Sequence, residues 1–329
     1  MSKLGRTLSI IFLATLCISA CKCGQRRPPP APAPVQAQAP VQAPAPIVNP
    51  LSEQRNWVGK IAIQYPEVFW LANPGVTKTE KGHAPAGNSF SQMLFSEKFV
   101  EFDRALLSLY SLKLILDGSD KAYQEWTAAQ PENVRLSKGS FNTLHEQARS
   151  LLTSNYQGLT SAQIQQAMET MLALGGIGKS ENGRRKFDGL AVTATDPDEF
   201  YEQAITVLKN NTRLSRSFSR LSYLAKQLLQ KTANLVNCQQ LLQREAGPSL
   251  FAKLKSSNLA ATDPTALSLV LFVETCKLAG ALGDVNNISS LAYTEQAHQA
   301  MQAIGVACCL LADPVSTELD AYNCYMSFR

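Results

Sequence analysis

Residues 90–118 read FSQMLFSEKFVEFDRALLSLYSLKLILDG. Phe90, Met93, Leu94, Phe99, Phe102, Leu106, Leu109, Leu112 and Ile115 fall at helical spacing, the core stripe of an α-helix, and Gly118 supplies its stop. The spacing predicts one long helix from Phe90 to Gly118. Working outward, shorter helices are expected over 120–130, 140–154 and 161–174, with Thr160 and Gln163 as a capping pair at the last. Asp196-Pro197, Asp263-Pro264 and Asp313-Pro314 each place a capping carboxylate before a proline suited to a first helical turn. An acidic metal or acid–base site at Asp196, Asp198 and Glu199 is the sharper reading; capping accounts for the three without it.

Between Thr212 and Glu245, Leu214, Leu221, Leu228, Leu235 and Leu242 recur every seven residues. That is a leucine-zipper seam on a helix of about 50 Å. Leu224, Leu229, Val236 and Leu241 widen the face beyond a two-helix seam, so burial inside a bundle and self-association both stay open. The stretches 267–282 and 300–312 are apolar almost all round, as interior helices are. The Gly- and charge-rich stretch 175–195 is the expected hinge or lobe boundary. The body therefore reads as all-α, an irregular multi-helix bundle over 90–329 with room for two lobes. Residues 51–89, with Trp57, Phe69 and Trp70 between prolines, read as an irregular aromatic segment packed against it.

Net charge is +5, with 31 basic and 26 acidic residues. Five of the basic residues and none of the acidic ones precede Leu51, so the body is balanced at 26 and 26. The excess belongs to the N-terminus, and no nucleic-acid partner is expected, although Arg213, Arg216 and Arg220 precede the leucine repeat. Lys3 and Arg6 lead into an apolar stretch from Leu8 to Ala20. Thirteen helical residues span about 20 Å, short of a ~30 Å hydrocarbon core, so 1–20 is expected to be a removed signal peptide. It ends Ile18-Ser19-Ala20-Cys21, which resembles the lipobox of bacterial lipoproteins. The resemblance implies lipidation of Cys21, a membrane partner through that lipid and, since Lys22 rather than Asp follows, residence in the outer membrane. Residues 21–50 then form a tether. Nine of the 17 prolines lie between Pro28 and Pro50, and extended at ~3.1 Å per residue that stretch reaches about 70 Å.

Chemistry-bearing motifs are few. Gly175-Gly176-Ile177-Gly178-Lys179-Ser180 ends like a phosphate loop but has Ala173 where the first glycine belongs and a helical pattern before it. Glu295 and His298 make one Glu-x-x-His, and His145 beside Glu146 lacks a second histidine. No catalytic set, metal site or cofactor is expected. Cys238, Cys276, Cys308, Cys309 and Cys324 are disulfide candidates in an oxidising compartment, with Cys308 or Cys309 to Cys324 and Cys238 to Cys276 as pairings. Buried thiols are the equal alternative. The function expected is a lipid-anchored envelope scaffold that binds another envelope protein or its own copy, through helix faces or the aromatics Trp57, Phe69 and Trp70. A peptidoglycan hydrolase and a small-ligand carrier are the alternatives.

Overall fold

The computed structural model describes residues 50–72, 89–233, 235 and 247–328. The signal peptide, Cys21, the tether up to Asn49, Cys238 and Leu242 lie outside them. Among the described residues every regular element is helical, and the architecture is an irregular all-α bundle.

The first element corrects the irregular reading of 51–89 over its described part, residues 73–88 lying outside the described residues. Pro50–Gln64 is an α-helix, α1, followed by a 3-10 helix over Pro66–Leu71. Gln54, Val58, Ile61 and Tyr65 repeat at helical spacing and are buried. Trp57, Phe69 and Trp70, expected as recognition aromatics, pack inward instead. Trp57 meets Tyr110 edge-on at 5.0 Å, Phe69 meets Phe102 at 5.2 Å and Trp70 meets Phe187 at 6.2 Å.

The single helix expected over 90–118 is two, α2 (Phe90–Phe95) and α3 (Val100–Asp117). The break has a chemical cause. Buried Asp103 accepts both the Ser91 amide and the Ser91 hydroxyl at 2.6 Å, and Ser91 Oγ in turn accepts the Phe99 amide at 3.0 Å. This clamp folds the chain back through left-handed Ser96. Gly118, at φ +65°, caps α3 as its position predicts.

There follow α4 (Asp120–Thr127), α5 (Lys138–Thr153), α6 (Ser161–Leu174) and α7 (Glu181–Arg185). The Thr160–Gln163 capping box is present. The stretch 175–195 is stapled rather than open. Arg184 donates to the carbonyls of Gly178, Ala194 and Thr195 and lies over the Phe200 ring. Asp196 caps α8 (Pro197–Asn210), accepting the Asp198 and Glu199 amides at 2.9 Å each.

The leucine repeat does not run on one helix. The stretch breaks into α9 (Arg216–Arg220) and α10 (Tyr223–Thr232); Leu214 precedes α9, Leu221 is extended between the two, Leu228 lies on α10 and Leu235 beyond it. Ser215 and Ser222 act as caps, and buried Glu67 accepts the Ser215 hydroxyl and the Ser217 amide. Leu221, Leu228 and Leu235 are buried in the core of one chain and Leu214 packs at its edge, so among the described residues these leucines form no continuous exposed seam.

The chain closes with α11 (Gly247–Ser257), α12 (Leu259–Thr262), α13 (Pro264–Ala279), α14 (Glu295–Leu310) and α15 (Glu318–Ser327). Asp263 caps α13, but Asp313 starts no helix. It accepts the Val315 amide in a turn, and α15 begins at Thr317 with Asp320. Helices α3, α6 and α13 pack on one another at the centre. The other long helices dock around them, and α15 closes on α11 and α14.

Candidate functional site

Where α3, α6, α8 and α13 converge, an open cleft of about 100 Å³ separates them. Its walls are partly small or apolar (Ala105, Met171, Val273), and four of its charged side chains form two ion pairs. Arg104 meets Glu101 at 2.8 Å and donates to the Ala281 carbonyl at 3.0 Å; Lys277 meets Glu274 at 2.7 Å. Burial works against the Lys277 charge, but Glu274, Tyr201 and Asp198 together outweigh it and hold the ammonium above its ordinary range. Burial also raises the Tyr201 phenol, over whose ring Lys277 lies. Lys179, from the phosphate-loop-like motif, lines the same cleft, yet the motif itself is a helix stop followed by a turn. The arrangement stores compensated charge. Neither Glu101 nor Glu274 stands alone as an acid or base.

A second feature lies at one end of that cleft, the connection 280–294 between α13 and α14. Its sequence, with Asn286, Asn287, Ser289 and Ser290, is polar in an otherwise apolar third of the chain, and those side chains are buried. Each is spent on fixing the backbone. Gln130 donates to the carbonyls of Ser290 and Tyr293 and accepts the Leu136 amide. Gln54 donates to the Asn287 carbonyl, Asn286 accepts the Ile288 amide, and Ser290 donates to Ala279. Lys98 and Asp284 form a largely buried ion pair at 3.0 Å. The loop lies so close to α3 that a Cβ on Gly283 would stand 2.4 Å from the Asp103 carbonyl, and one on Gly280 2.6 Å from that of Arg104. Against this fixed backbone Leu282, Val285 and Ile288 are exposed, Ile288 by 49%.

The other sequence candidates resolve into structural roles. Glu295 accepts the Ser137 amide and the Ser140 hydroxyl. Burial opposes its charge, but these bonds outweigh it and keep the carboxyl below its usual range. His298 is buried against Tyr293, and burial lowers its pKa. His145 Nδ1 meets the Ile115 carbonyl at 2.8 Å. Among the described residues no three His, Cys, Asp or Glu side chains group to hold a metal. Cys276 and Cys308 are buried free thiols, the expected partner of Cys276, Cys238, lying outside the described residues, and burial pushes Cys308 up to about 12. Cys309 donates to the Gly305 carbonyl, and Cys324 is half-buried at the edge of the core. Arg213, Arg216 and Arg220 are exposed.

The helical body from the 3-10 turn onward coincides with a described protein family, whose model spans residues 66–329. The chain belongs to the Family of unknown function (DUF6829). The shared region contains the cleft and the 280–294 loop, and leaves residues 1–65, with the whole of α1, outside it. No curated protein and no solved structure matches the chain.

Proposed function

We propose that this protein is a lipid-anchored component of the bacterial envelope, most specifically its outer membrane, whose helical body binds another envelope protein. One observation carries the binding half: Leu282, Val285 and Ile288 are held in water on a backbone locked by buried amides. A single exposed aliphatic is ordinary. Three within seven residues, on a loop that cannot relax to bury them, form a preorganised apolar contact. The lipobox-like Ile18-Ser19-Ala20-Cys21 and the proline-rich tether support the anchoring half, giving attachment and reach. The balanced charge of the body supports a protein partner over a nucleic acid. The cleft supports binding over hydrolysis, because its glutamates are committed to ion pairs, and it is neither closed nor apolar enough to favour a carrier.

A photo-cross-linking residue at Ile288 in cells tests this. A discrete adduct is expected, lost on Val285→Asp, and its mass separates a foreign partner from a second copy. The same adduct pattern from a probe at exposed Arg149 would overturn the reading. For the anchor, radiolabelled palmitate should enter the protein and disappear in Cys21→Ala; unchanged labelling would sink it.

A further inference from the structure

Outside both features, one face of α10 carries Tyr223, Gln227, Gln230 and Lys231 at positions i, i+4, i+7 and i+8. Except for Tyr223 these residues line an open cavity of about 370 Å³, closed on its other side by Lys209 of α8 and by Gln157. Three properties set the place apart. Tyr223 is 67% exposed, and its hydroxyl accepts from Gln227 Nε2 at 2.7 Å, so a bare aromatic ring is held at a fixed angle beside the cavity. Three primary amides converge there, Gln157, Gln227 and Gln230, and between them they keep both acceptors and N–H donors beyond those spent on Tyr223 and Lys209. The charge is cationic by one unit. Lys231 is neutralised by Asp263 at 2.8 Å, whereas Lys209 donates to the Gln230 carbonyl and meets no carboxylate among the described residues.

The floor is rigid. Tyr156 donates to the same Asp263 at 2.7 Å, and the flanking Asn155 and Gln157 both have left-handed backbones, at φ +47° and +49°. Neither is a glycine, so the turn is strained, and the strain presents the Gln157 amide to the cavity.

We infer that this face is a binding site for an acidic saccharide. A pyranose ring shows an apolar C–H face, which stacks on an exposed aromatic. Its vicinal hydroxyls each both donate and accept, and primary amides answer that pattern. A carboxylate on the sugar gives Lys209 the charge-assisted partner it lacks. The α10 face runs about 10 Å from Tyr223 to Gln230, room for two linked rings. The site shares no residue with the 280–294 loop, so its failure would leave the protein-binding reading standing.

Calorimetric titration of the full-length chain in detergent with trigalacturonic acid, and with chitotriose as neutral counterpart, tests the inference. The acidic trisaccharide should bind saturably, at least about tenfold tighter than the neutral one, a difference of about 1.4 kcal/mol. Tyr223→Ala should weaken both probes about tenfold. Lys209→Gln should erase the preference between them. Both changes are on side chains outside the core, and unchanged circular dichroism verifies the fold. Absence of saturable binding by the acidic probe at millimolar concentration would overturn the site. So would binding indifferent to both substitutions, or equal competition by citrate, which would reveal a plain anion site.

Discussion

Asp103 joins the start of α2 to α3 through one buried carboxyl, and its protonation reports on that clamp. Burial raises its pKa to about 7, against the hydrogen bonds from Ser91 and Ser89 and with the help of the Asp284 charge. A carboxyl whose folded pKa exceeds its unfolded value near 3.8 favours the folded state in its protonated form. The stability it contributes is complete below about pH 4 and is lost as pH rises through about 7. Urea unfolding should accordingly show a higher midpoint at about pH 5.5 than at about pH 8. Asp103→Asn, which keeps a side-chain amide against Ser91, should flatten that difference. A midpoint difference unchanged in the variant would assign the pH dependence to other groups.

At the scale of the element, identical dipeptides do different work. Asp263-Pro264 begins α13, where Asp263 also accepts from Tyr156 and Lys231; Asp313-Pro314 begins a turn in solvent. Asp263→Ala removes a cap worth about 1 kcal/mol and orphans a buried phenol at about 1–3 kcal/mol, so chemical denaturation should show a loss of about 2–4 kcal/mol. Asp313→Ala should stay within about 0.5 kcal/mol. The sequence displays the dipeptides and the apolar periods, and hence the helical class, the Thr160 cap and the interior character of α13 and α14. What it hides is where a period is interrupted. The stripe through Phe90–Ile115 and the heptads through Leu214–Leu235 look continuous because breaking them takes no proline. It takes Ser91, gripped by Asp103 twelve residues on within the same stripe, and Ser215, gripped by Glu67 from a distant part of the chain. Neither clamp leaves a mark in the apolar spacing. For the same reason the cavity beside α10 was illegible, since Gln157 and Lys209 reach it from separate elements.

Taken whole, the molecule fixes the 280–294 loop from two distant points of its first half, with Gln54 in α1 and Gln130 after α4 holding the carbonyls of Asn287, Ser290 and Tyr293. Gln130→Ala frees three buried backbone groups, a cost of about 2–4 kcal/mol by denaturation. If rigidity rather than mere exposure makes the surface, cross-linking from Ile288 should fall in this variant although Leu282, Val285 and Ile288 are all intact. Equal cross-linking would show that the loop needs no fixing. The compensated charge of the body points the same way, because contacts built on apolar side chains should persist as ionic strength rises.

Cys276 and Cys308 are fully enclosed, and burial holds both sulfurs in the unreactive protonated state. An alkylating reagent therefore reaches them only when the surrounding helices part. The rate at which they are modified under native conditions becomes an internal clock for the opening of α13 and α14, readable by mass spectrometry without added dye or engineered label.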